Sequence, residues 1–292
     1  MQIQCPSCNT VVINWAGGCT NCKFSLKNIH GFDSWHPELA NISSGSFFDL
    51  SKFKLLASLE DENFWFQARN ELIIYCLKKY FSGFQNFAEI GCGTGYVLKE
   101  VEINFPSANI LGSELFFEGL TYASQRCKKS KLVQLDARRI PYNNQFNVVG
   151  IFDVLEHIND DRLVLSSIAK SLASYGGLMI TVPQHPWLWS SVDDVACHVR
   201  RYTASEIEQK VIEANFEILL STSFVSLLLP AMFISRFFKS KSTPDAELMV
   251  HPFLNWIFRK IMTLELLLIK SDICFSFGGS RIIVAKKKYD SI

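Results

Sequence analysis

The 292-residue chain carries 29 basic and 28 acidic side chains, for a formal net charge of +1. This balance excludes nucleic-acid binding that is driven by bulk charge. The length accommodates one large α/β domain with a small appendage. The first residues, Met1-Gln2-Ile3-Gln4-Cys5, have neither the basic nor the apolar region of a secretory signal, so we expect a cytoplasmic protein.

Two Cys-x-x-Cys pairs stand near the start of the chain, Cys5 with Cys8 and, after ten residues, Cys19 with Cys22. Four thiolates without a histidine are typical of a closed structural Zn²⁺ site. A segment this short buries too little core to fold alone, so the metal would supply the folding energy. The spacing resembles a zinc ribbon, which we place at 1–30 with a linker at 31–60. A redox dithiol is the alternative.

A glycine-rich turn follows an apolar stretch in the middle of the first half. Phe87-Ala88-Glu89-Ile90 predicts a buried strand, Gly91, Gly93 and Gly95 alternate after it, and Tyr96 opens a helix. Such a turn lets the backbone approach a ligand closely. A dinucleotide-binding turn would need a glycine where Leu98 stands, and the lysine of a P-loop is absent. The Glu89 carboxylate suits the amino group of a zwitterionic ligand.

The pattern Glu-x-Gly-x-Gly-x-Gly resembles the first motif of class I S-adenosylmethionine (SAM) dependent methyltransferases. Later strand ends agree with it, because acids close the predicted strands 109–114, 131–135 and 146–152. The segment 152–158, Phe-Asp-Val-Leu-Glu-His-Ile, is similar to the fourth motif of that family. The resemblance implies a Rossmann-like α/β fold with a seven-stranded, mostly parallel sheet flanked by helices. It places the core at 61–223 and the last, antiparallel strand with the tail at 272–292.

The resemblance also implies a set of SAM contacts. It assigns the methionine end to the turn, the ribose to Glu114, the adenine to Asp136 and the mouth of the site to Asp153 and His157. The expected cofactor contacts are Glu89, Gly91, Cys92, Gly93, Gly95, Glu114, Leu115, Asp136, Ala137, Asp153 and Val154. Arg69 joins them if the aromatic segment around Trp65 is a flap over the cofactor, where an arginine pairs with a carboxylate. The alternative for this segment is an aromatic plug packed on the sheet.

The loop after the predicted fifth strand carries more functional side chains than a connection needs. His185, Arg200, Arg201 and Tyr202 are the substrate candidates here, together with Trp65 from the flap. A hydroxyl acceptor needs a base with a pKa near neutrality, for which His198 is the first choice and His157 the second. The loop resembles an uncharacterised bacterial subgroup of methyltransferases (type 11/12-like), which fixes no substrate.

The segment 224–271 predicts an apolar helical insertion. Its first apolar stretch is well short of a membrane span, and a loop is expected from Lys239 to Glu247. One interpretation buries the two helices on the core or in a homodimer interface. The other lays them on the inner face of the membrane as a peripheral contact.

We therefore expect a SAM-dependent methyltransferase that methylates a small-molecule, glycan or lipid-linked acceptor, with O-methylation preferred. One alternative is an RNA methyltransferase whose ribbon reads RNA, although the charge gives no strong nucleic-acid signal. A non-catalytic SAM-binding scaffold or regulator is the other.

Overall fold

The computed structural model describes residues 2–13, 15, 18–40, 51–238 and 250–288. In this part of the chain the strands are β1 (Gln2–Gln4), β2 (Val11–Ile13), β3 (Lys27–Ile29), β4 (Phe32–Ser34), β5 (Asn86–Ile90), β6 (Asn109–Glu114), β7 (Lys131–Gln134), β8 (Tyr142–Asn143), β9 (Phe146–Phe152), β10 (Leu172–Pro183), β11 (Phe216–Phe224) and β12 (Ser280–Lys287). The helices are α1 (Pro37–Ala40), α2 (Ser51–Leu59), α3 (Phe64–Tyr80), α4 (Tyr96–Asn104), α5 (Phe117–Arg126), α6 (Asp161–Ser171), α7 (Ser191–Val195), α8 (Ala204–Glu213), α9 (Leu229–Phe238) and α10 (Pro252–Lys270).

The principal sheet has nine strands in the order β11-β12-β10-β9-β5-β6-β7-β4-β3. Strands β10, β9, β5, β6 and β7 run parallel, and β12 lies antiparallel between β10 and β11. These seven strands confirm the predicted methyltransferase-type sheet. Because β5 and β9 are central and buried on both faces, apolar residues make up most of both strands. The carboxyl ends of the parallel strands share one edge, where ligands bind in open α/β sheets.

The predicted linker at 31–60 contains structure that extends the sheet. Strand β4 pairs in parallel with β7, and β3 forms a hairpin with β4. Gln134 at the end of β7 binds the backbone just after β4. Its side chain accepts from the His36 amide and donates to the His36 carbonyl. Helix α2 also belongs to this segment, while residues 41–50 lie outside the described part. The linker interpretation is therefore wrong for 32–40 and 51–59.

The N-terminal segment is joined to the core by a second, three-stranded sheet of order β2-β1-β8. Strand β1 pairs antiparallel with β8 of the core, and the fully buried Ile3 packs in the same cluster as Trp35 and Tyr142. Strand β3 leaves this segment for the principal sheet, so the ribbon ends before Lys27 rather than at residue 30.

Two apolar clusters cover the two faces of the principal sheet. Helices α3, α4, α5 and α10 contribute to one, and α6 and α8 to the other. Helix α10 buries Met262, Glu265, Leu266 and Ile269, its main helical neighbour is α3, and its other side is exposed. Among the described residues no helix is both long and apolar enough to cross a bilayer. The loop predicted over 239–247 lies outside the described residues.

Candidate active site

The glycine turn between β5 and α4 adopts a conformation that side chains disfavour. Gly91, Gly93 and Gly95 have φ values of 74°, 53° and 78°. A Cβ atom on Gly91 would lie 2.5 Å from a methyl carbon of Val154, whereas one on Gly93 would meet nothing within 4 Å. The turn is therefore packed from behind at Gly91 and open at Gly93, as a close backbone approach to a ligand requires.

Glu89 lies just before the turn with a buried carboxylate. Its Oε2 atom has no hydrogen-bond partner among the described residues. Burial raises the pKa of Glu89 well above its usual range, and the positive charge of Arg69 opposes that rise. A buried acceptor of this kind needs a donor, because an unpaired polar group in the interior is costly.

Glu114 closes β6 beside the turn. Its carboxylate accepts from the amides of Gly93 (3.0 Å), Leu115 (2.7 Å) and Phe116 (3.2 Å). Burial raises the pKa of Glu114, while these three amides counteract the rise. A carboxylate has about four acceptor sites, so one remains for a ligand hydroxyl.

Asp136 and Ala137 form the start of a short 3₁₀ helix after β7. The Asp136 carboxylate caps it by accepting from the Arg138 amide and also pairs with the Arg138 guanidinium at 2.9 Å. The Asp136 amide in turn donates to Nδ1 of His36, whose Nε2 has no partner among the described residues. Sequence reasoning missed His36, and only the β4–β7 pairing brings it to this edge.

Arg69 of α3 reaches the carboxyl end of β9. Its guanidinium donates to Asp153 Oδ2 at 2.5 Å and lies 4.7 Å from the centre of the Trp65 ring. Thr181 at the end of β10 donates to the same Asp153 oxygen. Asp153 has a φ of 54°, which few residues other than glycine adopt. Three elements thus converge on Asp153, and Trp65 packs both on Arg69 and against the apolar cluster on this face of the sheet. The flap over the cofactor stays a prediction.

Helix α2 closes over the glycine turn from the other side. The Glu60 carboxylate accepts from Thr94 in the turn at 2.6 Å and pairs with Arg126 of α5. Arg126 also donates to Thr94 and to the Ala57 carbonyl. None of these contacts was predicted, because no local pattern in residues 51–60 indicates that they pack on the turn.

Just past β9, Glu156, His157 and His198 come together. One ligand atom from each lies within 4.8 Å of the others, and the two imidazole rings are 4.7 Å apart. Burial lowers the pKa of His157 to about 3, so its ring is neutral at physiological pH. Burial raises the pKa of Glu156 well above its usual range. The two predicted catalytic histidines are therefore adjacent, and Glu156 is a third member that we did not predict.

Comparison with known proteins gives this site its context. The family model described as a methyltransferase domain matches residues 62–221, more than half of the chain. The chain belongs to this methyltransferase family. A probable S-adenosylmethionine-dependent methyltransferase of Mycobacterium tuberculosis is 22% identical over 184 residues, which cover 62% of this chain and 66% of the relative. The chain thus spans just under two thirds of the length of the curated relatives it matches.

Solved structures agree with this methyltransferase in fold. One is a chain from the complex between the Haloferax volcanii Trm112 methyltransferase activator and a putative methyltransferase, with a TM-score of 0.56, 15% identity and coverage of 83% of this chain and 96% of that one. Another is Haemonchus contortus phosphoethanolamine N-methyltransferase 2 in complex with S-adenosyl-L-methionine, with a TM-score of 0.56, 17% identity and coverage of 82% and 58%. At these identities the likeness shows the fold alone.

The loop after β10 of this methyltransferase carries four predicted substrate residues, of which three bind groups of the core and one lies beside a groove. Arg200 and Tyr202 both bind Asp161 Oδ2, at 2.7 and 2.8 Å, and Tyr202 is fully buried. Arg201 is buried against Asp193 and the Gln184 carbonyl. These three side chains fasten the loop to the core, and their contact with substrate stays a prediction.

His185 has a different setting, at the rim of an apolar groove of about 620 Å³. Its ring stacks on Trp187 (5.1 Å) and Phe277 (5.5 Å), and its Nε2 has no partner among the described residues. Burial and the charges of Arg281 and Arg201 lower the pKa of His185. The groove is lined by Trp187, Ser226, Leu227, Leu229, Pro230, Phe233, Cys274, Phe275, Ser276 and Phe277.

The four N-terminal cysteines of the methyltransferase converge as the spacing predicts. Their sulfur atoms all lie within 4.8 Å of one another, with Cys5 to Cys22 and Cys8 to Cys19 both at 3.6 Å. Thiolates bound tetrahedrally to zinc at about 2.3 Å would be separated by about 3.8 Å. The donor set and spacing therefore fit a structural Zn²⁺ ion held by these four residues.

Proposed function

We propose that this methyltransferase transfers the methyl group of SAM to a hydroxyl oxygen of its acceptor. The observation that carries the proposal is a buried row of charges at the carboxyl edge of the sheet. Arg69 pairs with Asp153. Burial raises the pKa values of Glu89 at the glycine turn and Glu156 at the histidines, and the positive charge of Arg69 opposes both rises. Arg69 thus lies between a candidate cofactor cradle and a candidate acceptor site.

The cofactor side of the proposal rests on the turn and its acids. When bound, SAM supplies a methyl group on a positively charged sulfur. Glu89 and the open turn at Gly93 suit the methionine end, and the remaining acceptor site of Glu114 suits the ribose hydroxyls. Cys92 and Gly95 complete the turn, while Leu115, Ala137, Val154 and His36 flank the adenosine end. Asp136 would contact adenine only by sharing its carboxylate with Arg138.

The acceptor side rests on the histidines. Nδ1 of His198 lies 2.9 Å from Asp193 Oδ1, and Asp193 also binds Arg201. Burial raises the pKa of Asp193, but the bonds to His198 and Arg201 outweigh it and bring the pKa to about 2. An ionised Asp193 accepts a hydrogen bond from Nδ1–H of His198, which leaves Nε2 as the ring nitrogen without a proton. Such a group suits a hydroxyl, whose proton must leave.

The acceptor class follows from the groove beside His185. Its lining is apolar and aromatic, and the exposed rings of Trp187, Phe233 and Phe277 surround it. Apolar surface of this kind is unusual on a protein without a ligand or partner for it. We therefore favour a lipid-linked or otherwise partly apolar acceptor, met by a cytoplasmic enzyme at the membrane surface.

The cofactor assignment is tested by calorimetry with SAM. Replacing Glu89 by Gln should weaken binding by about tenfold or more, because a hydrogen bond to a charged group contributes about 1.5–3 kcal/mol. Glu118→Gln is the matched control, since Glu118 is exposed on α5. Unchanged affinity in Glu89→Gln, or no SAM binding by the unaltered chain, contradicts the assignment.

The acceptor side is tested by replacing His198 with Gln. Loss of a group that removes a proton should lower turnover by about 10²–10⁴-fold and leave SAM affinity unchanged. Full turnover by this variant would show that the methyl acceptor does not use His198.

A further inference from the structure

The cluster of Glu156, His157 and His198 brings together three side chains that can bind a metal ion, whereas general-base catalysis needs only one of them. His198 Nε2 lies 3.9 Å from Glu156 Oε1, and each residue offers one ligand atom within 4.8 Å of the others. Two imidazole nitrogens and one carboxylate oxygen converging on one point are the donor set that proteins use for first-row divalent metals.

The surroundings of His198 fix its ring for such a role. The Nδ1 proton is directed at Asp193, which is fully buried and held by Arg201 (2.7 Å) and by the Ser190 amide (2.8 Å). This leaves Nε2 facing Glu156. A carboxylate that orients a histidine through its second nitrogen is the usual support of a metal-binding histidine.

Glu156 supplies an independent indication of a bound cation. Its side chain is 1% exposed, and its Oε2 atom has no hydrogen-bond partner among the described residues. A buried carboxylate oxygen needs a cation or a hydrogen-bond donor, and His157 and His198 each place a ring nitrogen within 4.8 Å of the Glu156 carboxylate.

We propose that Glu156, His157 and His198 bind a first-row divalent metal ion that takes the acceptor hydroxyl. This proposal rests on the proposed methyl transfer and narrows its substrate. Three protein ligands leave coordination positions open, so an acceptor with a second oxygen beside the reacting hydroxyl would bind through both. Vicinal diols and catechols have this arrangement.

The metal would act by lowering the pKa of the bound hydroxyl. The hydroxyl gives its proton to solvent, and its oxygen lone pair forms the new O–C bond with the methyl carbon. The electrons of the C–S bond pass to sulfur. The products are a methyl ether, S-adenosylhomocysteine and one proton, so charge and atoms balance. His198 and His157 would then hold the metal instead of acting as bases.

The test uses Mn²⁺ as the probe and the full chain with its ribbon loaded with zinc. Imidazole and carboxylate ligands accept Mn²⁺, whereas the four thiolates favour zinc. Titration followed by the electron paramagnetic resonance signal of free Mn²⁺ should show one bound ion per chain. Glu156→Gln and His198→Gln should each weaken binding at least tenfold, and Asp193→Asn by about 10–100-fold. His251→Asn is the matched control, because His251 caps α10 away from the cluster and Asn can still cap.

Absence of Mn²⁺ binding by the unaltered chain, or equal binding by Glu156→Gln and His198→Gln, overturns the metal site. SAM affinity is measured on the same samples. Normal SAM binding without Mn²⁺ binding refutes only the metal, whereas loss of SAM binding by the unaltered chain refutes the proposed function itself.

Discussion

Individual residues decide whether the glycine turn forms. Gly91 and Gly83 both have positive φ, 74° and 85°, so an alanine at either position is strained by about 1–2 kcal/mol. They differ in their surroundings, since only the Gly91 position faces Val154 at 2.5 Å, and nothing lies within 4 Å at Gly83. The pair separates backbone strain from the packing behind the turn.

Gly91→Ala should therefore lower the free energy of unfolding by about 1–3 kcal/mol more than Gly83→Ala. It should also weaken SAM binding, because the turn must move away from Val154. Denaturant unfolding and calorimetry check both results. Equal destabilisation by the two variants would mean that the contact with Val154 contributes nothing.

A second residue-scale prediction concerns Asp161, the anchor of the loop that carries His198. Burial raises the pKa of Asp161, but its bonds to Lys210 and Tyr202 and the charge of Arg200 lower it below the usual 3.8. The carboxylate is thus ionised in the folded chain at a pH where the unfolded chain binds a proton. Its stabilisation is fully present above about pH 4 and is lost as the pH falls through the folded-state pKa.

Asp161→Asn should cost about 3 kcal/mol at pH 7, as expected when one partner of a buried ion pair is removed. The difference in the free energy of unfolding between the unaltered chain and Asp161→Asn should shrink as the pH is lowered from 4. Urea unfolding at several pH values measures it, and a difference that grows in acid would contradict the assigned ion pairs.

For the loop after β10, the sequence indicated which residues come near the site, but it did not indicate where their side chains point. The sequence located His198 and His157, which do meet. It could not show that Arg200, Arg201 and Tyr202 point inward to Asp161 and Asp193, because their partners are up to 41 positions away in the chain. Glu156 was missed for the same reason, since only the fold brings His198 beside it.

At the scale of elements, the long apolar strands could be predicted from the sequence, and the short strands could not. Strands β6 and β9 have the predicted bounds, whereas β3 and β4 have three residues each and lack an apolar run. Helix α6 ends at Ser171, and β10 begins at the next residue with an irregular register. Local sequence does not reveal such pairing, which depends on β9.

At the same scale, we expect the fold of the N-terminal ribbon to depend on its zinc ion. Cys19→Ser should remove one equivalent of tightly bound zinc and make 2–26 protease-sensitive, since thiolate–zinc bonds supply its folding energy. SAM binding should persist, because no ribbon cysteine contacts the glycine turn. Cys274→Ser is the control, as Cys274 is an exposed thiol. Unchanged zinc content in Cys19→Ser would contradict the four-cysteine site.

At the scale of the whole molecule, the exposed apolar surface is the feature that the core does not explain. On α10 the side chains of Phe253, Trp256, Leu264 and Leu267 are 53–62% exposed, and the apolar groove at Trp187 adds to this surface. Burial of the segment 224–271 on the core alone does not fit this exposure. A lipid surface or a second copy of the chain would cover it.

We expect the unaltered chain to float with anionic lipid vesicles and Trp256→Ser/Leu264→Ser to float less. Unchanged thermal stability would show that the variant folds. Sedimentation velocity without lipid is the companion measurement. A dimer that the double variant dissociates, with no flotation by either protein, would assign the face to a homodimer instead.

The central claim, methyl transfer from SAM to an acceptor hydroxyl, is tested most directly with methyl-labelled SAM. The enzyme and label are incubated with an extract of the source cell, which is then separated into lipid, RNA, protein and small polar pools. The account predicts label in the lipid or small-molecule pool that survives alkali, as a methyl ether does and a methyl ester does not. Label in RNA, alkali-labile label, or no transfer by a chain that binds SAM would contradict it.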